Sequence, residues 1–192
     1  MKSRKRIWWF GVLICSVIAV TYLLFKPSVS IAIQPFHGAS ATHINQVKRA
    51  LETAYKAKVV LLTPIDLPKS SYYKPRNRYR ADSLIAYLKR QATNTDYIIG
   101  LTGKDISTTK GQQIEWGIFG LGYRPGKSCI VSSNRLNTND TVLLRTRIEK
   151  VAIHEVGHNL GLAHCTADDK CVMNDACGTV KEVDSNNKQL CR

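Results

Sequence analysis

The sequence predicts an α+β fold, a mixed β-sheet packed on helices, within a chain of 192 residues. Three observations support this fold class. Strand-like apolar segments alternate with amphipathic helical segments along the first half, a hairpin pattern follows, and a long helical pattern then ends among clustered histidines. An irregular, cysteine-rich tail comes last.

Each element is read from its own pattern of apolar residues. The expected elements are strand 28–36, helix 39–57, strand 58–65, helix 81–92 and strand 96–103. Residues 66–80 contain two prolines and predict a loop, and strands 115–123 and 128–136 predict a hairpin turned by Pro125 and Gly126. Asn139 or Asp140 is a suitable N-cap for a helix over residues 141–160.

The N-terminal segment is unlike the rest of the chain. Residues 7–25 carry no charge, follow a basic hexapeptide and span roughly 28 Å as a helix, close to the thickness of a bilayer core. The positive flank predicts a signal anchor in residues 1–26, with residues 27–192 as an exported, membrane-anchored domain on the periplasmic or extracellular side. The alternative is a cleaved signal peptide and a secreted protein.

The charge of the chain remains positive without this segment. The whole chain carries +14, of which five positive charges lie in residues 1–26, so the remaining domain carries +9. In an exported domain this charge favours anionic lipids, envelope polymers or acidic substrates, and no nucleic-acid partner is expected. Only residues 72–80 are densely basic, and a solvated loop explains them equally well.

The most informative stretch is AIHEVGHNLGLAHC, residues 152–165. His154 and His158 are four residues apart, so a helix projects both imidazoles from one face, where they can share a zinc ion. Glu155 is rotated by about 100° from His154, a position beside the metal from which it can act as a base.

A third histidine completes the pattern H-E-x-x-H-x-x-G-x-x-H. Gly161 can adopt the left-handed conformation just past the helix end, so the chain can turn and return His164 to the metal. Three protein ligands leave a fourth position open, which is the catalytic rather than the structural arrangement of zinc.

These residues carry a family resemblance. HEVGHNLGLAHC (154–165) followed by CVM (171–173) resembles the metzincin clan of zinc peptidases and, more narrowly, the archaemetzincins. Residues 78–81, 102–107, 117–122 and 131–136 are similar to family segments as well. The resemblance covers residues 28–192 and implies a zincin-like mixed sheet packed on helices.

The resemblance also implies roles for individual residues. His154, His158 and His164 would bind the catalytic zinc, Glu155 would activate a zinc-bound water as general base, and Met173 would form the hydrophobic Met-turn beneath the metal. The sheet edge that pairs with a peptide substrate would be the strand segment Ile130, Val131, Ser132 and Ser133. The implied activity is that of a zinc metalloendopeptidase or aminopeptidase acting on peptide or protein substrates.

The tail departs from the family pattern of a four-cysteine structural zinc site. Cys165 and Cys171 are one residue farther apart than expected, and the last cysteine of the closing C-x-x-C is missing. With Cys177 as a substitute, the four candidates Cys165, Cys171, Cys177 and Cys191 can form a second zinc site or two disulfides. Cys129 is expected to be a buried free thiol.

Two other functions stay open at the level of sequence. One is an exported zinc-binding envelope protein without efficient proteolysis, although an intact Glu155 gives it no support. The other is a basic envelope-surface or nucleic-acid binder, whose binding would depend strongly on salt and not on zinc.

Overall fold

The computed structural model describes residues 29–91 and 94–191. The strands are β1 (Ser30–Pro35), β2 (Lys58–Leu61), β3 (Tyr72–Tyr73), β4 (Arg78–Arg80), β5 (Tyr97–Thr102), β6 (Ile106–Lys110), β7 (Gln113–Ile118), β8 (Gly120–Gly122) and β9 (Ser128–Ser132). The helices are α1 (Ala41–Tyr55), α2 (Ala81–Lys89), α3 (Thr141–Asn159) and α4 (Val180–Ser185).

The main sheet has five strands in the order β2-β1-β5-β9-β8. Strands β2, β1, β5 and β9 are parallel, and β8 is antiparallel to β9. The predicted mixed sheet packed on helices is therefore confirmed, and each predicted helix and strand of its parallel part matches an observed element.

Alternation along the central strands separates two hydrophobic layers. On β1, Ile31 and Ile33 belong to the cluster that α1 and α3 cover, whereas Ala32 belongs to the cluster that α2 covers. Tyr55 at the end of α1 donates a hydrogen bond of 2.6 Å to the Ile153 carbonyl, which ties α1 to the histidine-bearing part of α3.

A second, smaller sheet has the order β3-β4-β6-β7. It corrects the prediction of a simple loop over residues 66–80, because β3 and β4 lie within that range. Three of the basic residues there are ion-paired: Arg78 with Asp105 at 2.8 Å, Arg76 with Glu115 at 3.3 Å, and Arg80 with Asp82 at 3.7 Å.

The predicted hairpin is only partly correct. Residues 113–118 pair with β6 in the small sheet, and only β8 pairs with β9. The substrate edge predicted at Ile130, Val131, Ser132 and Ser133 is wrong, because β9 lies between β5 and β8 and is buried along its whole length. Its parallel pairing with β5 leaves β8 as the outer strand.

The predicted signal anchor at residues 7–25 lies outside the described residues and stays a prediction. Within residues 29–91 and 94–191, none of the helices combines the length and the apolarity that crossing a bilayer requires.

Candidate active site

Helix α3 carries the first two histidines. It begins at the predicted N-cap Asp140, whose carboxylate accepts hydrogen bonds from the amides of Val142 and Leu143. It ends at a paired turn in which the Gly161 amide donates to the His158 carbonyl and the Leu162 amide donates to the Gly157 carbonyl. Gly161 has φ +96°, as its predicted role requires.

The turn brings the third histidine back to the first two. The ligand atoms of His154, His158 and His164 lie within 4.8 Å of one another, and the Nε2 atoms of His158 and His164 are 3.2 Å apart. Each helix histidine uses Nδ1 elsewhere: His154 Nδ1 bonds to the Val172 carbonyl and His158 Nδ1 to the Leu162 carbonyl, both at 2.9 Å. The carbonyls thereby fix the tautomer that leaves Nε2 available to a metal.

Burial favours the neutral form of the two imidazoles on α3. Burial lowers the pKa of His154 to about 4 and also lowers the pKa of His158. Neutral imidazole is the form that coordinates zinc. Asp175 Oδ2 lies 3.9 Å from His164 Nδ1, where it can orient the third ring. The three side chains therefore fit a zinc ion.

Glu155 packs against the edge strand β8. Only 8% of its surface is exposed. Burial raises the pKa of Glu155 to about 8, and a hydrogen bond from the Gly122 amide opposes that shift. A Cβ atom at Gly122 would lie 2.5 Å from the Glu155 carbonyl oxygen, so only glycine permits α3 to approach β8 this closely.

Met173 packs beneath the histidine-bearing turn of the helix. It is 3% exposed, and a Cβ atom at Gly157 would lie 2.5 Å from its sulfur atom. Since Gly157 lies between His154 and His158 in α3, the thioether is held directly under the ligand-bearing face. The Cys165 amide donates to the Met173 carbonyl at 3.0 Å, which connects this segment to His164.

The histidines line a cavity of about 500 Å³. β8 forms one wall and the tail after Met173 forms the other. Sequence reasoning did not identify the other cavity-lining residues, which include Asp82, Trp116, Gly120, Gly122, Tyr123 and Lys150. The glycines at alternate positions of β8 were a usable signal, because a strand that repeats glycine on one side admits a close neighbour.

Three of the four candidate cysteines in the tail lie together. The sulfur atoms of Cys165, Cys171 and Cys191 lie within 4.8 Å of one another, and all three are free thiols. Cys177 is an exposed free thiol outside this group, in a left-handed turn at φ 48°. It therefore does not replace the missing fourth ligand, and the described cysteines form no disulfide.

Backbone amides also donate hydrogen bonds to a member of the cysteine group. Hydrogen bonds from the Cys191 thiol and from the amides of Ala167 and Asp168 lower the pKa of Cys165. This environment favours a thiolate, the form that binds metal. Cys129 is fully buried and free, as predicted.

A helix with H-E-x-x-H, a third histidine returned by a turn, and an outer strand against the glutamate define the class of zinc metallopeptidases. The model of peptidase family M54 matches residues 33–192, and the chain belongs to that family.

Individual relatives agree with the family match. The archaemetzincin of Halobacterium salinarum is 34% identical over 155 residues, which cover 76% of this chain and 86% of that protein. The archaemetzincin of Archaeoglobus fulgidus is 33% identical over 164 residues, which cover 85% of this chain and 95% of that protein.

Solved structures show the same fold. The crystal structure of Archaeoglobus fulgidus archaemetzincin, complexed with malonate, aligns with a TM-score of 0.72 at 31% identity and covers 85% of this chain and 96% of that one. The crystal structure of Methanopyrus kandleri archaemetzincin aligns with a TM-score of 0.74 at 28% identity and covers 85% and 89% of the two chains.

Proposed function

We propose that the cavity hydrolyses peptide bonds with one zinc ion held by His154, His158 and His164. The observation that carries this proposal is the convergence of the three ligand atoms within 4.8 Å, while backbone carbonyls occupy the Nδ1 atoms of His154 and His158. Bound zinc would polarise the scissile carbonyl and acidify water at its open position.

Glu155 supplies the proton transfer. Glu155 lines the same cavity as the three histidines, and its carboxylate accepts a hydrogen bond from the Gly122 amide. A pKa raised toward neutrality suits a group that first accepts a proton from the attacking water and then delivers it to the leaving amine. No covalent intermediate with the protein is needed, because water is the nucleophile.

The substrate pairs with β8 rather than β9. Because the Ser132 amide donates to the Phe119 carbonyl and Leu121 lies opposite Ile130, the alternation of an antiparallel ladder points the backbone groups of Gly120 and Gly122 away from β9. The Gly122 amide already donates to Glu155, so a substrate would pair with the Gly120 groups and the Gly122 carbonyl. These groups lie along the cavity that the histidines line. An extended peptide added there would place its backbone beside the metal.

The cysteine group supports a second, structural zinc. Three clustered thiols and the amides that lower the pKa of Cys165 form a metal-binding environment about the tail. Since Cys165 follows His164 directly and its amide bonds to Met173, metal bound there would stabilise the segment that carries the third catalytic ligand.

Anchoring at a membrane is proposed on the sequence alone. Residues 7–25 would hold the chain in the bilayer, with the catalytic domain exported. Cell fractionation followed by N-terminal sequencing of the mature chain tests this. A membrane-bound chain that retains residues 1–26 supports the anchor, and a chain released without them supports a signal peptide.

The test of the enzymatic proposal is digestion of an unstructured polypeptide by the zinc-loaded protein. We expect new fragments by mass spectrometry, their loss after chelation, and their return when zinc is restored. A protein that binds zinc at the histidines but produces no fragments would instead be a zinc-binding protein without peptidase activity.

A further inference from the structure

Lys150 is a buried cation in the wall of the catalytic cavity. It lies one turn before His154 on α3, about 6 Å along the helix axis and on the same side of the helix. It is 8% exposed and lines the same cavity as the three histidines. Burial lowers the pKa of its ammonium group, so the surroundings on their own do not favour this charge.

The protein does not neutralise this charge by direct contact. Lys150 Nζ donates to the Val183 carbonyl at 2.9 Å and to the Asp184 carbonyl at 3.2 Å. Across residues 29–91 and 94–191, no carboxylate lies within ion-pair distance of Lys150, and the carboxylate of Asp184 is engaged by Arg147 instead. An ammonium has three donors, so one remains for a ligand.

The position of Lys150 relative to the metal site determines which part of a bound peptide approaches it. Gly120 and Gly122 of β8 lie beside Glu155, and Gly126, which follows β8, lies beside Asn159 farther along α3. β8 and α3 therefore run in the same direction. Lys150 therefore lies toward the beginning of β8. A peptide antiparallel to β8 runs the opposite way, and its residues after the scissile bond approach Lys150.

Apolar groups form part of the wall of the cavity that Lys150 lines. Trp116 from β7 reaches across to the tail, where a Cβ atom at Gly178 would lie 3.1 Å from the indole ring. Val151, Val172 and Val183 provide apolar lining. Exclusion of water by such walls strengthens the attraction between an ammonium and an opposite charge.

We propose that Lys150 receives a carboxylate of the substrate that lies just after the scissile bond. This inference rests on the proposed peptidase function. The carboxylate has two sources, an Asp or Glu side chain at the residue that follows the bond, or the C-terminal carboxylate of a peptide that ends there. Lys150 is thus a specificity-determining residue.

The test uses the full zinc-loaded protein and a mixture of unstructured peptides, half with free and half with amidated C termini. Mass spectrometry identifies each cleaved bond. We expect about tenfold enrichment of Asp and Glu over Asn and Gln after the bond, or about tenfold faster cleavage near free than near amidated ends, as a charge-assisted hydrogen bond provides. The first pattern identifies a side-chain carboxylate, and the second a terminal one.

Two variants separate the charge of Lys150 from its hydrogen bonds to the Val183 and Asp184 carbonyls. Lys150→Gln can still donate to the Val183 or Asp184 carbonyl but has no charge, so the preference should fall about tenfold. Lys150→Arg keeps the charge and should retain it. Lys48→Gln is the matched control, because Lys48 pairs with Glu52 on α1 outside the cavity and should leave the preference unchanged.

The outcomes are distinct. Cleavage without a carboxylate preference, a preference that persists in Lys150→Gln, or an equal loss for all peptides in that variant would each overturn the role of Lys150 while leaving the peptidase proposal intact. If no peptide is cleaved by the zinc-loaded wild type, both proposals fail.

Discussion

Gly120 faces Glu155 so closely that a Cβ atom at Gly120 would lie 2.7 Å from both the Cγ and the Oε1 atoms of the glutamate. The contact joins the outer strand of the main sheet to the histidine-bearing helix α3. It makes the position of the proposed base depend on the absence of a side chain on the strand.

Gly120→Ala should therefore impair catalysis more than metal binding. The added methyl group must displace Glu155 from its buried position, and a displacement near 1 Å can lower kcat about ten- to a hundredfold. Turnover and zinc content measured on the same sample check this. Gly103→Ala, outside the cavity, is the control, and equal turnover in both variants would contradict the assignment.

The turn at Gly161 gives a prediction about the third ligand. Gly161 and Gly111 both have positive φ with open space around the Cβ position, so alanine should cost about 1–2 kcal/mol of folding free energy at either site. Only Gly161→Ala should also weaken zinc binding at the histidines, by about tenfold, because His164 follows that turn. Competition with a chelator measures the affinity. Equal zinc affinity in the two variants would show that the turn does not position His164.

The three-cysteine group predicts a difference between two exposed thiols. Cys191 belongs to the group and Cys177 does not. We expect two zinc ions per wild-type chain, one in Cys191→Ser and two in Cys177→Ser, measured by elemental analysis after gel filtration. One zinc in all three proteins would mean that the cysteines hold no metal.

The ion pair between Arg147 and Asp184 predicts a pH-dependent stability. Both guanidinium contacts are short, at 2.7 and 2.6 Å, and they lower the pKa of Asp184 below its usual 3.8. A carboxylate with a depressed folded-state pKa adds stability that is present above the unfolded pKa and lost as pH falls through the folded one. Asp184→Asn should therefore destabilise the protein by on the order of 1–2 kcal/mol at pH 7, after solvent screening is allowed for.

Urea denaturation of wild type and Asp184→Asn at several pH values checks this prediction. The gap in unfolding free energy should begin to narrow as pH falls below about 4, where the Asp184 carboxylate of the unfolded chain becomes protonated, and should close as pH falls through the lower folded-state pKa. A gap that stays constant with pH would indicate that the variant acts through packing rather than through the ion pair.

Local patterns made the metal-binding helix predictable. Asp140, the spacing of His154 and His158, and Gly161 each act within a few residues of the chain, and helix α3 has the cap, the face and the turn that they predict. The same holds for β1, α1 and α2, whose apolar periodicities are unbroken.

The incorrect predictions all concerned residues whose positions depend on contacts with segments far away in the sequence. The family resemblance implied that residues 130–133 form the substrate edge, and only the pairing of β9 with β5 and β8 shows that this strand is internal. Likewise, residues 113–118 turn away to join β6. Cys177 is near the other cysteines in sequence, but a left-handed turn separates it from their group. The sequence does not indicate that Lys150 and Trp116 line the cavity, because the cavity forms only where the tail packs against α3.

The most direct test of the central claim is Glu155→Gln, compared with wild type for both zinc content and turnover. Glutamine has nearly the same size and leaves the three histidines in place, but it cannot take a proton from water. The account predicts unchanged zinc at the histidine site and a loss of peptide hydrolysis by a factor of at least about a hundred. A variant that keeps its zinc and still cleaves peptides at the wild-type rate would show that Glu155 is not the base.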